Sequence, residues 1–143
     1  MRRPVWLPTL SLLALLLALP LALALAPHMA AAQPLRPIGM ISGANPAALE
    51  EKTVKRQKDE SSATIRVTFA KPAKAPGGLW YGSRTKVAVR CTARTVAVLE
   101  NRYYADAKFT KVASEKIVKI PGYAPPVPGS VPALALTTLC KAP

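Results

Sequence analysis

Apolar and polar residues alternate most cleanly at two places in the chain. Between residues 63 and 70, Ile65, Val67 and Phe69 alternate with Thr64, Arg66 and Thr68, the period-two pattern of a strand with one packed and one wet face. Residues 85 to 91 repeat it, with Val87, Val89 and Cys91 on one side and Lys86, Ala88 and Arg90 on the other. Pro72, Pro76, Gly77 and Gly78 break the pattern between the two runs. Thr95 to Tyr104 is rich in β-formers on both parities, among them Val96, Val98, Leu99, Tyr103 and Tyr104, which predicts a central strand covered on both faces. Ala105 to Lys108 is the expected turn, and residues 109–113 and 114–120 predict one further strand or two short ones. Short connections between successive strands favour antiparallel pairing.

Toward the end, Pro121, Gly122, Pro125, Pro126, Pro128 and Gly129 predict an extended linker over the surface. Ser130 then stands where an N-cap would, Pro132 fits a first helical turn, and Leu134, Leu136, Leu139 and Cys140 complete a short helix. At the other end, residues 33–48 are punctuated by Pro34, Pro37, Gly39, Gly43 and Pro46 and read as an irregular N-terminal arm. Residues 47–57 fit two elements. Glu50 and Glu51 precede Lys52, Lys55 and Arg56 at helical offsets, whereas Thr53-Val54 suits a short strand.

The apolar excess of the chain is concentrated in residues 1–32. Arg2 and Arg3 precede a nearly unbroken apolar run from Leu10 to Ala26, and Ala30-Ala31-Ala32 supplies the small residues that signal peptidases read. Pro20 and Pro27 interrupt the run and argue against a retained membrane anchor, so the mature chain is expected to begin at Gln33 with no transmembrane anchor. The remaining 111 residues are enough for one small domain. They carry 18 of the 20 Lys and Arg and all 7 acids, a net charge of +11. The single histidine, His28, falls in the leader, which removes the usual imidazole base or metal ligand from the mature domain.

Two cysteines remain, Cys91 and Cys140. An even pair in an exported chain predicts a disulfide, here joining the terminal helix to the second strand. The fold class expected is α+β: a small antiparallel sheet with a C-terminal helix clamped by one disulfide.

Reaction chemistry has little support. No phosphate loop, nucleophile elbow or metal-ligand spacing occurs, and no cofactor is expected. Glu50 and Glu51 are adjacent, but neighbours on a helix point apart, and both are read as solvent-facing. Glu100 and Asp106 are each expected to answer a nearby Arg or Lys. Binding has more support. Arg84, Lys86 and Arg90 share the wet side of one strand and Arg66 the wet side of another, so adjacent strands would form a cationic patch. Such a patch attracts lipopolysaccharide, sulfated glycans or acidic protein segments. Nucleic acid would be attracted too, but export makes it a poor physiological partner. Trp80 and Tyr81 fit either a contact pair or, for Trp80, a plug in the core.

From Lys86 to Cys140 the chain resembles the surface-adhesin protein E family of small exported domains. The matching order is a strand ending in Cys91, then Arg94-Thr95-Val96-Ala97-Val98-Leu99, the Tyr103-Tyr104 pair, Val127-Pro128-Gly129-Ser130, and a terminal helix ending in Leu139-Cys140. Thr53-Val54-Lys55-Arg56 and the strand after it match the family's opening more weakly, which places an adhesin E-like domain over residues 49–143. The resemblance implies an antiparallel sheet bridged to a C-terminal helix. It also departs from the family: Ala105 to Lys108 lacks the usual glycine, and no lipidation cysteine is present. The family's named adhesin binds matrix proteins and haem, and without a mature histidine haem ligation is not expected here. The function expected is that of a secreted or periplasmic, non-enzymatic protein contacting matrix proteins or anionic glycans through a basic surface. The alternative is a periplasmic cell-envelope accessory protein with the same fold and no host ligand.

Overall fold

In the computed structural model, which describes residues 34 to 141, six strands precede one helix. They are β1 (Leu35–Ile41), β2 (Asn45–Arg56), β3 (Ser61–Ala75), β4 (Gly78–Arg90), β5 (Thr95–Tyr104), β6 (Val112–Ile117) and α1 (Val131–Leu139). The strands form one sheet in chain order, every neighbouring pair antiparallel. Connections this short return a strand to its predecessor's side and do not allow a crossover. The expected leader and its cleavage before Gln33 lie outside the described residues.

Alternation builds the core on one sheet face. Ala47 and Leu49 of β2, Ala63, Ile65 and Val67 of β3, Val87 and Val89 of β4 and Val96 of β5 meet Ala135, Leu136 and Leu139 of α1. Nine residues of helix are too few to be stable alone in water, so the helix needs fixing at both ends. At its start, the Ala133 N–H donates to the hydroxyl of the N-cap Ser130, and Pro132 lies in the first turn. Its last turn carries no basic residue. Arg56 reaches across from β2 instead and donates to the Leu139 carbonyl at 3.2 Å, bringing a cation to the negative end of the helix. The Cys91–Cys140 disulfide, with Cα atoms 5.4 Å apart, then ties that end to the chain just beyond β4. The α+β architecture and its bridge are as expected.

Three local readings change. Residues 33–48 are not an irregular arm, since they contain β1 and the start of β2. Pro37 is tolerated because β1 is an edge strand and needs partners on one side only, while Ile38 and Ile41 pack on the core. Ser42 and Gly43 both have positive φ, 51° and 72°, in the three-residue connection Ser42–Ala44, where the Ala44 N–H donates to the Ile41 carbonyl; residues able to adopt positive φ suit such tight hairpin turns. Residues 47–57 resolve as strand. Lastly, no strand begins at Phe109. The turn after β5 runs on to Lys111, held by the Asp106 carboxylate, which accepts from the Thr110 and Lys111 N–H groups and the Thr110 hydroxyl. These bonds, led by that of Lys111, hold the Asp106 carboxyl below the usual aspartate range. Phe109 adopts φ 59° within this turn and folds back onto the sheet. The proline-rich segment is extended as expected and is anchored midway by reciprocal backbone hydrogen bonds between Val96 and Ala124.

Closing a loop between residues 49 apart restricts the unfolded chain enough to contribute about 4 kcal/mol. Reduction, or the double change C91A/C140A, is expected to lower the thermal midpoint by well over 10 °C in a domain of this size, as followed by circular dichroism with and without reductant. An unchanged midpoint would show that the bridge does not hold the helix.

Candidate functional site

The sheet face opposite α1 is polar, and its register sets out charges in rows. Arg66 of β3 pairs with Arg84 of β4, and Arg84 pairs with Arg102 of β5, so three guanidinium side chains stand in one cross-strand row. Like charges placed side by side in this way are destabilising unless each finds an anion. Glu50 of β2 answers the first two. Although adjacent to the exposed Glu51, it is wholly buried. Arg84 donates from Nε to Glu50 Oε1 at 2.7 Å and from Nη2 to Oε2, a two-point guanidinium–carboxylate pairing. The hydrogen bond to Glu50 outweighs desolvation and raises the Arg84 pKa further above its ordinary value. Arg66 Nε lies 3.5 Å from Glu50 Oε1 but outside hydrogen-bonding geometry and without another partner. At the other end of the row, Arg102 pairs with Glu100 at 2.6 Å and with Glu115.

Aromatic rings roof the inner part of this row. Phe109 lies against Tyr104, ring centroids 5.0 Å apart, and turns its face to the Arg66 guanidinium, whose carbon is 4.4 Å from the ring centroid, a favourable cation–ring arrangement. The room for Phe109 exists because position 82 is glycine. A Cβ there would collide with the Phe109 ring and stand 2.5 Å from the Val67 carbonyl oxygen.

Beyond the row lies an open groove of about 370 Å³, lined by Lys52, Thr53, Lys55, Thr64, Arg84, Lys86, Glu100 and Arg102. A bulge in β2 opens it. Glu50 pairs with Thr64 and Lys55 with Ser62, so the residues between them exceed their partners. There the Thr53 hydroxyl substitutes for the interrupted ladder, accepting from the Thr64 N–H at 2.8 Å and donating to the Glu50 carbonyl at 2.7 Å. Lys52, Lys55 and Lys86 are exposed, and among the described residues none of them has an acidic side chain within ion-pair distance.

The residues singled out from sequence therefore separate. β3 and β4 are neighbours and bring Arg66, Arg84 and Lys86 together as expected, but Arg66 and Arg84 are not freely solvated cations, because both face a buried carboxylate. Lys86 stands open in the groove. Arg90 is occupied by Glu60 at 3.3 Å and by the Tyr123 ring 3.7 Å away. Tyr123 in turn donates to Glu60 at 2.7 Å, and its partial burial, followed by that bond, holds its phenol above the usual range. Trp80 lies outside the core, half-buried and stacked on Tyr103 with centroids 4.1 Å apart. Tyr81 is half-buried next to it. Cys91 and Cys140 form the bridge. Glu100 pairs with an arginine as expected, whereas Asp106 holds a turn.

Lys52, Lys55 and Arg102 were not among the residues expected at the site. One signal for Glu50 existed: from Ser61 to Leu99 the chain has seven Lys and Arg and no acid, so any anion for strands β3 and β4 has to come from outside that stretch.

Removing the buried charge while keeping its shape, E50Q, is expected to destabilise the fold by about 3 kcal/mol in urea denaturation, because it leaves Arg84 partly buried without its counter-ion. E51Q, which breaks only an exposed pair with Arg36, should cost less than about 0.5 kcal/mol. Equal effects would show that Glu50 carries no special burden. G82A should cost about 3 kcal/mol through the displaced Phe109 ring, with loss of aromatic near-ultraviolet circular dichroism before unfolding. No family model matches the chain, and neither the search of curated proteins nor that of solved structures found a match.

Proposed function

We propose that the chain is an exported, non-enzymatic binding domain of the surface-adhesin E type, which uses its open sheet face to hold anionic ligands of the envelope or the surrounding matrix. The observation that carries this reading is the groove: five cations and one carboxylate line it, and three of those cations are exposed lysines without acidic partners. Pairing the half-buried Arg84 with Glu50 keeps part of that charge rigid, while the lysines remain able to adapt to a ligand. A cleft lined largely by one sign of charge concentrates oppositely charged molecules and speeds their encounter.

Location supports the same reading in a coarser form. The disulfide belongs to an oxidising compartment, and among the described residues no helix is long and apolar enough to cross a membrane. The adhesin character rests on the ordered resemblance between Lys86 and Cys140 and on the sheet–helix bridge that this resemblance implies.

Purified, oxidised protein should bind immobilised heparin saturably, with an affinity that falls as salt rises. The triple reversal K52E/K55E/K86E should weaken binding about a hundredfold while leaving the circular dichroism spectrum unchanged, since all three side chains are exposed. Absence of saturable binding at low salt, or binding indifferent to the triple reversal, would remove this function.

A further inference from the structure

The groove offers more than positive charge, and its layout narrows the ligand. Its lining comes from four consecutive strands: Lys52, Thr53 and Lys55 from β2, Thr64 from β3, Arg84 and Lys86 from β4, and Glu100 and Arg102 from β5. A ligand touching all of them lies across the strands, over three interstrand spacings or about 14 Å. Of these strands β3, β4 and β5 are paired on both sides, and among the described residues only β2 beyond Glu51 lacks a partner on its β1 side. An extended peptide recognised by strand addition runs along one such edge, whereas the lining here crosses the strands.

The distribution of donors and acceptors adds a second restriction. Glu100 sits opposite Lys86 in the ladder and pairs with Arg102, so a carboxylate stands beside Lys86 at the β5 end of the basic lining. It repels an uninterrupted anion such as polyphosphate but accepts hydrogen bonds from hydroxyl groups. Thr64 gives its backbone N–H to Thr53, and among the described residues its own hydroxyl has no hydrogen-bond partner, so this residue of the lining keeps a donor and acceptor for a ligand. Cations alternate here with acceptors.

Resting on the function proposed above, we infer that the groove takes a short saccharide bearing sulfate or phosphate esters, with Lys52, Lys55 and Lys86 on the ester groups and Glu100 and Thr64 on ring hydroxyls. Glu100 acts as the specificity determinant. Its carboxylate disfavours a second anion beside Lys86 and favours a hydroxyl group there.

Four probes of matched charge test this by titration calorimetry: a heparin tetrasaccharide, the deacylated phosphorylated core of a lipopolysaccharide, linear polyphosphate and polyglutamate. At least one saccharide should bind about tenfold more tightly than the two non-saccharide polymers. E100Q should narrow that preference to less than about threefold by strengthening the polymers, and the triple lysine reversal should weaken binding of every probe about a hundredfold. Tighter binding of heparin assigns the ligand to sulfated matrix glycans, and tighter binding of the core assigns it to the envelope; both support the inference. Equal affinities for all four probes, or a preference that E100Q leaves intact, overturn the saccharide assignment while the polyanion groove stands. Failure of every probe to bind, or binding that the lysine reversal leaves unchanged, overturns the proposed function itself.

Discussion

One buried carboxylate makes the polar face of this sheet possible. Arg66, Arg84 and Arg102 are brought side by side by the register of three strands, and their mutual repulsion would act against the pairing that aligns them. Glu50 meets two of them from the neighbouring strand and is fully enclosed in doing so. Its burial is compensated by two charge-assisted hydrogen bonds from Arg84 and by the close approach of Arg66. The arrangement is mutual: the carboxylate depends on cations that only the correct register supplies, and the cations depend on a carboxylate that only that register delivers. A slip of one residue would turn Glu50 to the apolar face and Leu49 to the polar one, so the charges define the register from one face as the aliphatic side chains do from the other.

The two faces divide the work. A domain of this length has material for one core, and that core lies on the face covered by α1, where the short helix is capped, bridged and held by Arg56. With the apolar requirement satisfied there, the other face is left to polar contacts, with a small cover of Phe109 and Tyr104 against Arg66 and Gly82 at one end and of Tyr123 against Arg90 at the other. Both α1 and Phe109 come from chain beyond the central strands, α1 from the C-terminal end and Phe109 from the turn after β5. Between Phe109 and the β2 bulge the surface remains open, and the groove lies there.

Much of the apolar side of this division was legible in the sequence. Strands 63–70 and 85–91 declare themselves because their two faces meet different environments, and Ser130 with Pro132 marks the helix start through local backbone chemistry alone. The cysteine pair adds the one long-range contact that could be inferred from the sequence. β1 and β2 are harder because edge position excuses Pro37, and because the Ser42-Gly43 turn looks like general irregularity when its flanks carry Pro34, Pro37 and Pro46. Glu50 is hidden for a different reason. Solvation is the default for an acid beside another acid, and only the register of β2 against β3 reveals that Glu50 and Glu51 point to different environments. Phe109 follows the same rule, since a left-handed aromatic residue is explained by the carboxylate of Asp106 and by the space above Gly82, and neither is a property of its own neighbourhood in sequence.

The bulge in β2 is where the held charges and the open surface meet. An unbroken ladder would carry regular pairing through residues 51–54, and the groove would close into flat sheet. The extra residues open the strand where Lys52 and Lys55 are needed, and they would leave the Thr64 N–H without its ladder partner. Thr53 meets that cost with one hydroxyl that serves both strands. A side chain thus does the work of a main-chain pair at the point where the surface opens, immediately beside the carboxylate that fixes Arg84. Rigidity and opening are therefore set within four residues, Glu50 to Thr53. Exposed lysines on a smooth sheet would attract anions with little discrimination, whereas lysines beside a held arginine and a fixed acceptor can distinguish one arrangement of charge from another.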